Sequence, residues 1–212
     1  MTATTNSPGP DRVTPPAALR RLLAGNRRYL SGRTEADRGV DQARRAAPSQ
    51  APYALVITCV DSRLPVETIF DQGFGDVCVL RTAGHVLDTS VTGSVDLSVA
   101  VLGVSLVLVL GHERCGAVGY AMEHAGSASG DLGYLVDQIA PAIEEVDREG
   151  ADGPVRHGLG ADRYDRIMCR HVTRTVSQLA AVPSVRDGLA DGSVGLLGAR
   201  YDLTRAQVRL IG

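Results

Sequence analysis

Two continuous apolar runs constrain the fold of this 212-residue chain more than any other feature. They read YALVITCV at residues 53–60 and SLVLVLGH at residues 105–112. Apolar runs of this length without polar alternation are typical of strands buried on both faces, which occur in parallel sheets covered by helices. The runs therefore predict a mainly parallel sheet with helices on each side.

Strand and helix patterns alternate along the rest of the chain, which is typical of an α/β fold. Further strands are predicted over 76–81, 193–202 and 206–211, the last at an edge, and helices over 65–72, 89–104, 115–125, 131–149 and 162–182.

An N-terminal helical arm is predicted over 14–32, because Thr14 and Pro15 resemble a helix start and a leucine stripe follows. This stripe must be buried either on a neighbouring chain or on the chain's own sheet. A polar connector is expected over 33–51. We expect residues 1–13 to form a disordered tail and 14–212 a single domain.

Composition excludes several classes of protein. The formal net charge of −2 gives no basic field for nucleic acid. No apolar run approaches the roughly 18 residues of a membrane helix, and the N-terminus has no apolar signal core. We therefore predict a cytoplasmic protein without nucleic-acid or membrane partners, in which four cysteines without a C-x-x-C motif are ligands or buried thiols.

Two of the predicted strands end in polar clusters, TCVDSR at 58–63 and GHERCG at 111–116. Ligands bind beyond the carboxyl ends of parallel strands, so these clusters are expected to meet. Together they offer Cys59, Asp61, His112 and Cys115. Two thiolates and an imidazole suit Zn²⁺, which is usually tetrahedral.

The residues alone leave two questions open. Cys59 and Cys115 could instead be small buried hydrophobic residues, as free cysteines commonly are. Asp61 could be the fourth zinc ligand, or it could pair with Arg63 and leave that position to water, as in catalytic sites. Two thiolates and a neutral imidazole would leave a zinc site uncharged, which predicts activity that rises above neutral pH.

The motifs CVDSR at 59–63 and HERCG at 112–116 resemble the paired signatures of the β-class carbonic anhydrases. The resemblance covers nearly the whole chain, because three other segments share it: LLAGNRRY at 22–29, IFDQGFGDVCVLRTAGHV at 69–86 and VGLLGARYDL at 194–203.

The resemblance implies a sheet of strand order 2-1-3-4 with a fifth edge strand. It implies one zinc ion per chain held by Cys59, His112 and Cys115, with Asp61 on the metal in a closed state or paired with Arg63 in the active one. The implied reaction is the reversible hydration of CO₂ to bicarbonate and a proton, by hydroxide generated at zinc. A homodimer or tetramer with the pocket at the dimer interface is also implied.

Gln50 matches a glutamine of the plant-like branch of that family, which implies substrate binding across a dimer interface. Three residues depart from the family pattern. Cys78 stands where plant enzymes carry a pocket phenylalanine, Leu97 where many members have tyrosine, and His85 where asparagine is more common. Cys78 is a core residue or lines the pocket; His85 is a buried hydrogen-bonded residue or a proton carrier. The sequence gives no role to His124, His157 or His171.

Other functions stay open at this point. The altered pocket residues allow a hydrolase of carbonyl sulfide or carbon disulfide on the same scaffold. A non-catalytic, zinc-stabilised binding module would keep Asp61 on the metal, but it would need neither Arg63 nor Gln50. A nucleotide-binding enzyme is disfavoured because the chain lacks the glycine-rich phosphate loops.

Overall fold

The computed structural model describes residues 12–150 and 162–211. Within these ranges a five-stranded sheet has the order β2-β1-β3-β4-β5. The first four strands are parallel and β5 is antiparallel at the edge, which confirms the predicted topology. The strands are β1 Ala54–Cys59, β2 Val77–Thr82, β3 Leu106–His112, β4 Gly195–Asp202 and β5 Gln207–Ile211.

Helices connect the strands and cover both faces of the sheet. They are α1 Pro15–Leu30, α2 Val40–Ala46, α3 Val66–Ile69, α4 Thr89–Asp96, α5 Gly116–His124, α6 Gly130–Glu149, α7 Arg163–Leu179 and α8 Pro183–Ala190. The helix predicted over 65–72 is reduced to the single turn α3, and the one predicted over 89–104 continues after α4 as a π-helical turn, Leu97–Val101. No helix in the described residues is long and apolar enough to cross a membrane.

Two short helices were missed by the sequence analysis. The supposed polar connector over 33–51 contains α2, which has no buried residue. The interval between α7 and β4 contains α8. The expected tail falls almost wholly outside the described residues, as does His157, and the division into a tail and a single domain stays a prediction.

The central strands are buried on both faces, as their apolar runs predicted. Every residue of β1 and β3 is buried. Side chains of a strand alternate between faces, so Leu55 and Ile57 of β1 face the core formed with α5, α6 and α7, while Ala54 and Val56 face the core formed with α1 and α3. This arrangement fixes the carboxyl ends of β1 and β3 side by side.

Helix α1 packs on the sheet of its own chain. Ala18 and Leu22 are fully buried in the second core. The buried amide of Asn26 donates to the carbonyl oxygens of Ile69 and Ala206, and its oxygen accepts from the amide of Val208. Two packing modes were considered for the leucine stripe. These contacts show that helix α1 packs on the sheet of its own chain.

Candidate active site

The predicted metal ligands converge where β1 and β3 end. Cys59 is the last residue of β1, His112 is the last residue of β3, and Cys115 precedes the first turn of α5. All three are buried, and one potential ligand atom from each lies within 4.8 Å of the others. The convergence expected from two motifs far apart in the chain is therefore present.

The hydrogen bonding of His112 fits a metal ligand. Its Nδ1 lies 2.8 Å from the carbonyl oxygen of Glu113. A carbonyl oxygen only accepts, so Nδ1 carries the proton and Nε2 presents a lone pair. Nε2 is buried and has no hydrogen-bond partner among the described residues. A buried nitrogen in this state is uncommon unless an ion or water satisfies it.

The two thiols complete the donor set. Cys115 Sγ lies 3.8 Å from Cys59 Sγ and donates to it. This hydrogen bond lowers the pKa of Cys59 and raises the pKa of Cys115. Two sulfurs and one imidazole nitrogen at this spacing fit a tetrahedral zinc site with a fourth position left open.

Asp61 is held by Arg63 instead of joining this cluster. Arg63 Nε lies 2.9 Å from Oδ1, Nη2 lies 2.6 Å from Oδ2, and the Arg63 amide donates to Oδ1 at 2.9 Å. The side-chain hydrogen bond is the main reason why the pKa of Asp61 is lowered to about 2. The carboxylate is therefore ionised throughout the neutral range and fixed in direction beside the ligands.

A second arginine, missed by the sequence analysis, braces the same loop. Arg81 of β2 donates from Nε to the Cys59 carbonyl oxygen at 3.1 Å and from Nη2 to that of Asp61 at 2.5 Å. Its position at the end of a strand next to β1 was the signal available in the sequence. Arg63 also reaches the carbonyl oxygen of Arg114 at 3.3 Å, which links the two ligand-bearing loops.

The loop between His112 and Cys115 is anchored by a buried ion network that was also missed. Glu113 Oε1 accepts from Arg200 Nη2 at 3.1 Å, and Oε2 accepts from the amide of Leu203 at 2.9 Å. Arg200 is itself buried and donates from Nε to Asp165 at 2.8 Å. Breaking a buried ion pair leaves an uncompensated charge, so this network fixes the loop firmly.

A mostly apolar cavity of about 220 Å³ adjoins the cluster. It is lined by Cys59, Val60, Asp61, Ala83, Gly116, Ala117, Tyr120, Leu132, Leu135 and Val136. Its walls could accommodate a small nonpolar molecule next to the metal ligands.

Other residues singled out in the sequence lie elsewhere. Gln50 is exposed and does not line this cavity. Cys78 is half-buried and packs against the core, and Leu97 is 54% exposed. His85 is completely buried, as one of the two expectations for it stated. Neither ring nitrogen has a hydrogen-bond partner among the described residues, so the prediction that it is hydrogen-bonded is wrong.

The remaining histidines differ in their surroundings. His124 stacks on Tyr120, and its Nδ1 lies 3.0 Å from the Tyr120 carbonyl oxygen. His171 is buried, with its Nε2 2.8 Å from the Gly84 carbonyl oxygen.

Comparisons with known proteins agree with this geometry. A family profile described as carbonic anhydrase matches residues 54–208. The chain is 39% identical over 194 residues to carbonic anhydrase 2 of Mycobacterium tuberculosis, covering 89% of each chain. It is 36% identical over 201 residues to a carbonic anhydrase of Mycolicibacterium smegmatis, covering 92% of this chain and 93% of that one.

A solved structure supports the same assignment. The Coccomyxa β-carbonic anhydrase in complex with acetazolamide superposes with a TM-score of 0.69 at 26% identity, covering 91% of this chain and 86% of that one. Fold and site together define an α/β protein with a buried Cys-His-Cys cluster at the strand ends that could hold a metal ion. The chain belongs to the carbonic anhydrase family, in its β class, and the resemblance read from its motifs is confirmed.

Proposed function

We propose that this protein is a zinc-dependent carbonic anhydrase that catalyses the reversible hydration of CO₂ to bicarbonate and a proton. The observation that carries the proposal is the Cys59, His112 and Cys115 cluster in a chain of this family. These residues would hold one Zn²⁺ per chain. When bound, the ion would act as a Lewis acid and lower the pKa of a water molecule.

Asp61 and Arg63 orient the reactants in this proposal. Both Asp61 oxygens are hydrogen-bonded to Arg63, which keeps the carboxylate off the metal cluster. Oδ1 already accepts two hydrogen bonds from Arg63, whereas Oδ2 accepts one and retains a further lone pair. Asp61 therefore accepts a hydrogen bond from the attacking water and directs its nucleophilic lone pair towards the substrate.

The cavity selects the substrate and releases the product. CO₂ is a linear molecule without a dipole, and apolar walls such as those of Ala83, Ala117 and Val136 hold it without competing strongly bound water. Bicarbonate is charged, and apolar surroundings disfavour a charge. The same walls that admit the gas therefore favour departure of the ion.

We propose that Gln50 serves the active site of a second copy in a homodimer or tetramer, as the family resemblance implies. Two observations support this. Gln50 is exposed and outside the cavity of its own chain, and Val60, Phe74 and Val101 are exposed apolar residues suited to an interface. Two β-carbonic anhydrases from Sordaria macrospora, whose crystal structures are solved, are described as tetrameric. We also propose a cytoplasmic location.

The alternatives receive less support. The family match does not favour a carbonyl sulfide or carbon disulfide hydrolase. A zinc-stabilised binding module would use Asp61 as a fourth ligand, whereas Asp61 is paired with Arg63 here.

Stopped-flow CO₂ hydration at about pH 8.5, where a zinc site of low net charge is expected to be active, tests the proposal. Zinc content per chain and carbonyl sulfide turnover are measured on the same preparation. We expect close to one zinc ion per chain and rapid CO₂ hydration. Zinc without turnover of either gas would favour the binding module, and sulfide release with poor CO₂ hydration would favour the hydrolase. Light scattering of the full chain, with and without Gln50→Ala, tests assembly and the role of Gln50.

A further inference from the structure

Gly84 connects the proposed zinc site to a buried histidine that the proposed reaction does not use. Its amide donates to Cys59 Sγ at 3.3 Å. Its carbonyl oxygen accepts from His171 Nε2 at 2.8 Å, a contact between residues 87 positions apart. One residue thus receives a hydrogen bond from α7 and donates one to a metal-ligand sulfur.

The backbone at this point is strained. Gly84 has φ of 61°, and the next residue, His85, has φ of 49° although it carries a side chain. A non-glycine residue in this region costs free energy and persists only where its surroundings over-determine it. A Cβ atom on Gly84 would approach Ala117 at 3.1 Å and Ile139 at 3.2 Å, so this position is both left-handed and tightly enclosed.

His171 supplies the fixed contact that such a segment needs. Because the Gly84 carbonyl can only accept, the His171 proton is on Nε2. Burial lowers the pKa of His171 to about 4, so it is neutral with this one N–H at physiological pH. Its ring also packs on that of His85, with centroids 4.5 Å apart. His171 therefore contacts both Gly84 and the strained His85.

We propose that His171 is a positioning residue for the zinc site. By binding the Gly84 carbonyl oxygen it holds the Gly84 backbone in the conformation in which the Gly84 amide donates to the Cys59 sulfur. Partners of metal ligands tune affinity and electronic properties. A hydrogen bond from an N–H group to a thiolate withdraws electron density from the sulfur, so a bound metal ion would be a stronger Lewis acid. The inference rests on the proposed zinc site but makes no use of CO₂ turnover.

The first test uses the wild-type protein loaded with spin-active cadmium in place of zinc. We expect the Gly84 amide proton to show scalar coupling to the metal across the hydrogen bond to Cys59 Sγ. Absence of that coupling in the loaded protein would overturn the proposal. Loaded protein that shows coupling but no CO₂ hydration in its zinc form would overturn only the proposed function.

The second test compares cobalt-loaded variants. In His171→Leu the sulfur-to-cobalt charge-transfer absorption should move to lower energy, and metal release to a chelator should accelerate by about tenfold to a hundredfold. His171→Gln keeps an amide donor of similar reach, and it should restore both properties towards wild type. If the Leu variant does not fold, the cadmium coupling in wild type and in the Gln variant decides the question.

Leu179→Ala is the matched control, because Leu179 is fully buried on the same helix about two turns away. It should lower thermal stability but leave the cobalt spectrum unchanged. A wild-type spectrum and release rate in folded His171→Leu would refute the positioning role. So would an equal spectral shift in Leu179→Ala, since the effect would then be general loosening.

Discussion

Arg63 binds the carboxylate of Asp61 through three hydrogen bonds, two from its guanidinium and one from its own amide. Bidentate pairs of this kind combine charge with fixed geometry. The pair lies next to the buried side chains of Cys59, His112 and Cys115. In the proposed function it would decide whether the carboxylate or a water molecule has access to a bound zinc ion.

Replacing Arg63 should therefore free the Asp61 carboxylate to bind the zinc ion in place of water. In Arg63→Ala we expect CO₂ hydration to fall on the order of 10²-fold or more, with zinc content unchanged, as measured by stopped-flow kinetics and metal analysis. Arg44→Ala is the control, because it breaks an exposed ion pair with Asp41 that should contribute little. Full activity in Arg63→Ala would contradict the gating role.

The four cysteines provide an internally matched test of the metal site. Cys59→Ser and Cys115→Ser should each cut zinc content severely, because serine is a poor ligand for zinc. Cys78→Ser and Cys169→Ser should retain zinc, since neither belongs to the cluster. Zinc content after dialysis is the measurement, and equal zinc loss in all four variants would count against the assigned ligands.

Asp61→Asn separates an orienting carboxylate from a structural ligand. We expect it to keep zinc and lose most CO₂ hydration activity, because the pairing with Arg63 keeps Asp61 off the metal. The same two measurements are made on Cys59→Ser. A loss of zinc as severe as in that variant would mean that Asp61 is a ligand after all.

Gly111 allows α7 to pack closely against β3, just before His112. A Cβ atom at this position would lie 2.5 Å from both Met168 Sδ and Val172 Cγ2. Gly111→Ala should lower the free energy of unfolding by roughly 1–3 kcal/mol in urea titrations. Gly93→Ala in α4 meets no atom within 4 Å and should instead be neutral or stabilising. Equal stabilities of the two variants would contradict this packing argument.

Asp71 should contribute stability that disappears in acid. Burial raises its pKa, but hydrogen bonds from the Glu35 amide, the Arg28 side chain and the Ala36 amide outweigh this and lower it. A group with a depressed pKa in the folded state stabilises above its unfolded value, about 3.9, and loses that contribution as the pH falls through the folded value.

Asp71→Asn should accordingly be less stable than wild type by about 2 kcal/mol at neutral pH. That difference should shrink below about pH 4, as followed by urea unfolding at several pH values. Asp41→Asn, at an exposed position, is the control. A difference that stays constant with pH would show that the charge of Asp71 is not responsible.

The sequence predicted the sheet and the ligand cluster because both depend on short local patterns. Apolar runs without alternation identified β1 and β3, and polar residues at their ends identified Cys59 and His112. Helix α2 was missed because it buries no side chain and so has no apolar stripe. Helix α8 begins with Pro183, a start signal that was present in the sequence but overlooked.

The supporting contacts could not be predicted in the same way. Arg81 reaches the carbonyl oxygens of Cys59 and Asp61. Its place near the end of a predicted strand was visible in the sequence, but the backbone atoms that it binds were not. Glu113 pairs with Arg200, 87 positions away. Only the register of β3 against β4 brings these two together.

Cys59 ends β1 and Cys115 follows the neighbouring strand β3, yet β2 and α4 intervene between them in the chain. The chain must therefore be synthesised beyond Cys115, and β3 must pair with β1, before Cys59 and Cys115 can bind the same ion. We therefore expect a zinc ion to bind only after β3 has paired with β1, so that retention of the ion would report that this part of the sheet has formed.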